Sequence, residues 1–227
     1  MHAYMNTIVF DIETIPQNFD SLEESTKEYL LRYAETPEAK DEIKEQMALW
    51  APTNEIVAIG VVSVEGNKGA VYFQDNGTGV EDHEEEQVTY RAGTEAEILS
   101  HFWEVIARAD RFVTFNGRGF DCPVLMLRSA AHGIRPSKNL MPYRFSTEAH
   151  IDLYDQLTFH GATRKSFNLD MYCKLFEVES PKSHGVSGKD VKPLYDKGRY
   201  MEIARYCIGD VFATRQLFLK WNTLINV

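Results

Sequence analysis

Hydrophobic and polar positions along the chain divide it into short apolar runs and longer amphipathic ones. The run Asn6-Thr7-Ile8-Val9-Phe10-Asp11-Ile12-Glu13-Thr14 is nearly continuous in apolar residues and predicts a buried strand. Glu55 to Val64 and Gly69 to Phe73 predict two more strands, joined through Glu65-Gly66-Asn67-Lys68-Gly69 as a hairpin. Arg111 to Phe115 and Ala149 to Leu153 complete a set of about five. Helical spacing takes over elsewhere. Thr94-Glu95-Ala96-Glu97 has the form of a capping box and opens an amphipathic stretch to Ala109. Further helices are predicted over 123–133, near 167–176, and from Tyr200 to about Leu219. A hairpin followed by βα units implies an α/β chain with a mixed sheet flanked by helices. Two stretches break the pattern. Residues 17–50 are acidic and helix-favouring and read as a helical insertion, and residues 75–94, with Glu81-Asp82-His83-Glu84-Glu85-Glu86, read as a mobile acidic loop.

Within this pattern, four acids occupy positions where an acid is costly. Strand side chains alternate, which puts Asp11 and Glu13 on one face about 6.6 Å apart, within reach of one cation or a pair. Asp121 follows the strand at 111–115 and a glycine-containing turn, Asn116-Gly117-Arg118-Gly119-Phe120. Asp210 falls on the apolar stripe of the last helix with Ile203, Tyr206, Cys207, Thr214, Leu217 and Phe218, one turn beyond Tyr206. An unpaired carboxylate there would cost several kcal/mol. A divalent cation shared among these acids would remove that cost. The all-oxygen donor set suits a hard ion such as Mg2+ or Mn2+.

Each acid alone has a plainer explanation. Asp121 before Pro123 would serve as a helix N-cap, Glu13 as a charge at a strand end, Tyr206 as a core aromatic and Asn116 as a turn former. Asp152 and Asp155 read as helix caps at a strand-to-helix junction, with Asp152 also able to face the cleft. His150, His160 and His184 lack metal-ligand spacing and read as satisfied surface or core histidines.

Composition bounds the setting. The 227 residues fit one domain, no run of 18 apolar residues exists, and three scattered cysteines, Cys122, Cys173 and Cys207, predict reduced thiols and a cytoplasmic location. The net charge of -10 is unevenly spread. Residues 1–110 hold 23 acids and 7 bases, whereas residues 111–227 hold 11 acids and 17 bases. The second half therefore offers a basic surface where a phosphate backbone would lie, with Arg118, Arg164, Lys165, Lys182, Lys189 and Lys192 as candidates.

Phe10-Asp11-Ile12-Glu13-Thr14, Asn116 to Asp121, and Tyr206-Cys207-Ile208-Gly209-Asp210 resemble, in order and spacing, the three motifs of the DEDD superfamily of 3′ to 5′ exonucleases. Tyr206, four residues before Asp210, is similar to the tyrosine subclass, and the chain most resembles stand-alone relatives of the proofreading domain of family-B DNA polymerases. The stretches His150 to Asp155, Ser166 to Asp170 and Lys182 to Lys189 support the likeness. The resemblance implies a ribonuclease H-like fold, a single exonuclease domain over 1–227, and two Mg2+ or Mn2+ ions held by Asp11, Glu13, Asp121 and Asp210. Asp11, Glu13, Asp121, Tyr206 and Asp210 would be catalytic, with Tyr206 orienting the attacking water. Thr14, Asn116 and Phe120 would contact the terminal nucleotide. The implied substrate is a single-stranded 3′ end, DNA favoured over RNA, cut to nucleoside 5′-monophosphates, with no membrane involved. A non-catalytic nucleic-acid-binding module and an oligoribonucleotide-degrading exoribonuclease are the alternatives. The chain closes soon after Asp210, which predicts no attached polymerase domain.

Overall fold

A computed structural model describes residues 5–66, 68–179, 185 and 187–226. Strands β1 (Thr7–Pro16), β2 (Asn54–Ser63), β3 (Gly69–Gln74), β4 (His83–Glu85), β5 (Val88–Gly93), β6 (Arg111–Thr114) and β7 (His150–Asp152) form one mixed sheet in the order β4-β5-β3-β2-β1-β6-β7. The hairpin β2–β3 is antiparallel, β1 pairs antiparallel with β2, and β6 and β7 run parallel to β1. The sheet has seven strands among the described residues where the sequence pattern predicts about five. The extra pair comes from residues 83–93. Val88 and Tyr90 are buried while Arg91 is exposed, a two-residue alternation that the neighbouring acid run masks in the sequence.

Helices α1 (Glu24–Leu31) and α2 (Pro37–Gln46) follow β1, and α3 (Glu95–Ile106) follows β5. Helix α4 (Asp121–Ala131) follows β6, and α5 (Leu153–Leu157), α6 (Leu169–Leu175), α7 (Val191–Asp196) and α8 (Tyr200–Leu224) complete the chain. The expected capping box at α3 is present: Thr94 Oγ1 accepts from Glu97 N, and Thr94 N donates to Glu97 Oε2 at 2.8 Å.

The central strand β1 is buried on both faces. Phe10 and Ile12 pack with Ile98, Leu99 and Phe102 of α3 and Leu125 of α4. Val9, Val57 and Val71 pack on the opposite face with Ile203, Cys207 and Val211 of α8. One polar cluster locks the first of these layers. Glu95, 4% exposed, accepts from Ile56 N at 2.9 Å and Arg128 Nε at 2.8 Å, and its Oε2 lies 2.7 Å from His132 Nε2. That joins β2, α3 and α4 through a paired buried charge, which is costly to break, about 3–5 kcal/mol if one partner is removed.

Residues 17–50 hold α1 and α2, neither of which buries a residue, between 3-10 turns at Phe19–Ser21 and Met47–Leu49. The segment is fastened at its end. Met47 is fully buried, Thr14 Oγ1 donates to Ala48 O at 2.7 Å, and Asn54 Nδ2 donates to the same oxygen at 3.1 Å.

Candidate metal and nucleic-acid site

The register of β1 decides where the first two acids point. Asp11 pairs with Gly60 and Glu13 with Ala58 on β2, and a bulge follows between Glu13 and Thr14. Both carboxylates therefore lie on the face covered by α8. Gly60 is what admits the helix: a Cβ at that position would sit 2.9 Å from Val211 Cγ2 and 3.1 Å from Cys207 Sγ. The close approach of α8 brings Tyr206, Cys207 and Asp210 over Asp11 and Glu13.

Cys207 is a participant that its place among the motif residues did not announce. Its thiol donates to Asp11 O at 3.7 Å, and its sulfur and one carboxylate oxygen each of Asp11 and Glu13 lie within 4.8 Å of one another. Burial pushes the thiol pKa well up, aided by the Asp11 and Glu13 charges, so the sulfur is a neutral, protonated packing group beneath the acids.

Asp121 arrives from the other side of β1. It is the first residue of α4 and 3% exposed, and its Oδ1 accepts from Ile12 N at 3.1 Å across 109 residues of sequence. The plain N-cap reading does not hold, because Phe120 occupies the cap position. The turn before it needs its glycines. A Cβ at Gly117 would lie 2.4 Å from Thr114 Oγ1, and one at Gly119 would lie 2.6 Å from Asn116 Oδ1. Asn116, with φ of 61°, is exposed in the left-handed region that Asn tolerates. Phe120 is half-buried against the α3–α4 layer.

The turn is pinned by a residue assigned from sequence mainly to capping. Asp152 Oδ1 accepts from Asn116 N at 2.8 Å and from Tyr154 N at 3.0 Å, and its Oδ2 accepts from Arg118 N at 2.9 Å. It caps α5 and holds the motif-bearing turn with the same carboxylate. The Arg118 guanidinium is turned inward, donating to Pro142 O at 2.8 Å and Tyr143 O at 3.4 Å, and so is not a free phosphate contact. Of the other basic candidates, Arg164, Lys165 and Lys189 are exposed, Lys192 is bound to Asp196 at 2.5 Å, and Lys182, like His184, lies outside the described residues. His150, expected to be a satisfied histidine, is buried on Phe112, 2.8 Å from Thr114 Oγ1, with its pKa pushed down to about 3 by burial.

Electrostatically the four acids form one group. Burial holds the Asp11 carboxyl well above the usual range, and the charges of Asp121, Asp210 and Glu13 add to it. Glu13, 8% exposed, is raised by burial and by Asp210 and Asp121. Asp121 is pushed up to about 7, first by burial and then by Asp152 and Asp210 against its backbone hydrogen bonds. The Tyr206 hydroxyl donates to Asp210, and burial together with Glu13 and Asp210 drives its pKa up. Four mutually repelling carboxylates suit a bound divalent ion, and their oxygens suit a hard one.

The chain matches, over residues 48–226, a family described as predicted 3'-5' exonuclease related to the exonuclease domain of PolB. Among solved structures it is similar to the family B DNA polymerase from the hyperthermophilic archaeon Pyrobaculum calidifontis, at 18% identity and a TM-score of 0.60 over 97% of this chain. The chain spans 25% of that polymerase's length. No curated protein matches it. The shared architecture is the expected ribonuclease H-like one, a mixed sheet with helices on both faces. No helix among the described residues is long and apolar enough to cross a membrane.

Proposed function

Because the chain belongs to the family of predicted 3'-5' exonucleases related to the exonuclease domain of PolB, we propose that it removes nucleotides one at a time from single-stranded 3′ ends, DNA in preference to RNA, releasing nucleoside 5′-monophosphates. The observation that carries this reading is the convergence of the buried Glu13 and Asp121 and the half-buried Asp11 and Asp210 into one mutually repelling acidic group beside Tyr206. These four acids would hold two Mg2+ or Mn2+ ions. Such a pair supplies a nucleophilic water at neutral pH and neutralises charge on the scissile phosphate and the leaving 3′ oxygen.

The chain's own residues do the positioning. Tyr206, with its pKa raised, keeps its proton at neutral pH, and with that proton directed to Asp210 its oxygen is left to accept from the attacking water and orient it. Its bond to Asp210 fixes the hydroxyl direction. Asn116 and Phe120 project from a turn fixed by Asp152 and would meet the terminal nucleotide by hydrogen bonding and stacking. Thr14 follows Glu13 at the bulge of β1, with its hydroxyl donated to Ala48 O, and would meet the terminal sugar through its backbone and methyl group. In the net reaction a water oxygen bonds to phosphorus, the P–O3′ bond breaks, and the departing 3′ oxygen takes a proton.

The test is incubation of 5′-labelled DNA and RNA strands of one sequence with the protein and Mg2+ or Mn2+. A ladder shortening from the 3′ end, faster on DNA, is expected. Full-length strands with both metals would overturn the reading.

A further inference from the structure

Outside the acidic site, the segment between α4 and α6 carries large rings on its surface. Tyr143 is 72% exposed, Phe145 60% and Phe159 60%. Single exposed aromatics are ordinary, but Tyr143 and Phe145 form a cluster with His160, the residue after Phe159. Tyr143 and Phe145 meet edge-on with centroids 5.7 Å apart, and Phe145 meets the His160 ring at 4.8 Å.

The backbone is bent to display them. Phe159 and His160 have φ of 49° and 54°, consecutive left-handed conformations that bulky residues seldom adopt and that cost about 1–3 kcal/mol each. Bonds from His160 N to Asp155 O at 2.7 Å and from Thr163 N to Thr158 O at 3.2 Å hold that shape. The loop is built, and its form places rings in solvent.

Charge identifies the partner. Residues 132–168 carry Arg135, Lys138, Arg164 and Lys165 against one exposed acid, Glu148, while Arg144 is bound to the buried Asp155 through Nε at 2.9 Å. This is a cationic face on a chain of net charge -10. Lys165 Nζ lies 5.1 Å from the centre of the Phe167 ring, and neither Arg164 nor Lys165 pairs with an acid among the described residues. The face is also joined to the acidic site. Arg118, in the turn that carries Asn116 and Phe120, is bonded to the backbone of Pro142 and Tyr143. On the other side Phe115 touches Tyr172, which touches Phe167.

Resting on the nucleic-acid substrate proposed above, we infer that this aromatic and basic face is a stacking surface for single-stranded nucleic acid, holding nucleotides upstream of the 3′ end engaged at the acids. Exposed rings interleaved with unpaired cations are the arrangement that binds single strands without sequence preference, by stacking bases and neutralising phosphates. A duplex, its bases already stacked, gains little from it.

The probe is a 5′-fluorescein-labelled thymidine 15-mer followed by anisotropy in EDTA, with a duplex of the same length and a uridine RNA 15-mer alongside. Tyr143→Ala combined with Phe145→Ala is expected to weaken single-strand binding about tenfold or more, on both sugars, with little change on duplex. Tyr143→Phe with Phe145→Tyr keeps the rings and is expected to keep the affinity. Arg164→Ala with Lys165→Ala is expected to flatten the logarithmic salt dependence by about 1.4. The rings are exposed, so melting of these variants reports whether the fold is intact; if the alanine pair melts early, the ring-conserving and charge pairs decide. Wild-type protein that fails to bind the 15-mer, or alanine variants within twofold of wild type, would overturn the inference. Ring-dependent binding without hydrolysis would remove the nuclease reading and leave this surface standing, and hydrolysis with ring-independent binding would do the reverse.

Discussion

Adding Mn2+ to the metal-free protein perturbs a group of carboxylates that raise one another's pKa values. Asp121 is held at about 7 against an ordinary 3.8, and Asp11 and Glu13 are raised in the same direction. A carboxyl whose folded pKa is raised binds a proton more tightly folded than unfolded. In metal-free protein its contribution is therefore neutral below about pH 4 and becomes destabilising as pH rises towards 7. At about 1.36 kcal/mol per unit, the ceiling for Asp121 alone is roughly 4 kcal/mol. Asp75 and Glu95 have lowered pKa values and oppose this trend, stabilising the fold above their unfolded values, so the informative quantity is the difference between melts with and without metal.

A cation takes only the deprotonated acids, so its effect must grow with pH. At a hundredfold excess over the dissociation constant one ion stabilises by about 2.7 kcal/mol, and a chain of this size gains roughly 2–4 °C per kcal/mol. A rise in Tm of about 5–11 °C at pH 8, shrinking to near zero at pH 5, is expected by differential scanning calorimetry. Asp121→Asn, whose Oδ1 would still accept from Ile12 N, should raise the metal-free Tm at pH 8 and reduce the Mn2+ shift. An equal shift at both pH values, or a full shift in Asp121→Asn, would refute the reasoning.

Gly60→Ala should cost about 1–3 kcal/mol by overpacking against Val211 and Cys207, seen in the urea midpoint, and should lower hydrolysis further by lifting α8 from β1. Asp152→Ala removes the acceptor shared by Asn116 N, Arg118 N and Tyr154 N, and should destabilise by about 3 kcal/mol in chemical denaturation, while Asp152→Asn retains part of that stability. Tyr206→Phe should lower kcat without changing Mn2+ affinity by calorimetry, because the ring remains and only the hydroxyl bonded to Asp210 is lost.

Strong periodicity made most of this arrangement legible. The strand of Asp11 and Glu13, the hairpin, the capping box at Thr94 and the long final helix follow from local spacing and local chemistry, and the structure has them. Strands β4 and β5 were hidden because three alternating residues, Val88, Tyr90 and Ala92, sit beside an acid run that dominates any window average. Helix α7 is short and takes its stability from packing of Val191 and Leu194, which no local signal announces. At the site, residue types and spacing named the four acids and Tyr206. Spacing could not show that Asp152 holds the Asn116 turn, or that Arg118 is spent on backbone carbonyls, because both depend on contacts 24 to 36 residues apart. Gly60 gave one faint sign, a glycine inside an apolar strand, where close backbone approach is the usual reason.

The central claim is that these acids make the chain a metal-dependent 3′ to 5′ exonuclease. It is met most directly by a 5′-labelled single strand incubated with Mn2+ and either wild-type protein or Asp210→Asn. Wild type should produce a ladder receding from the 3′ end, with mononucleotide 5′-phosphates released, while the variant, folded to a similar Tm, leaves the strand whole. An intact strand with wild type, or a ladder of equal rate with Asp210→Asn, would contradict the account.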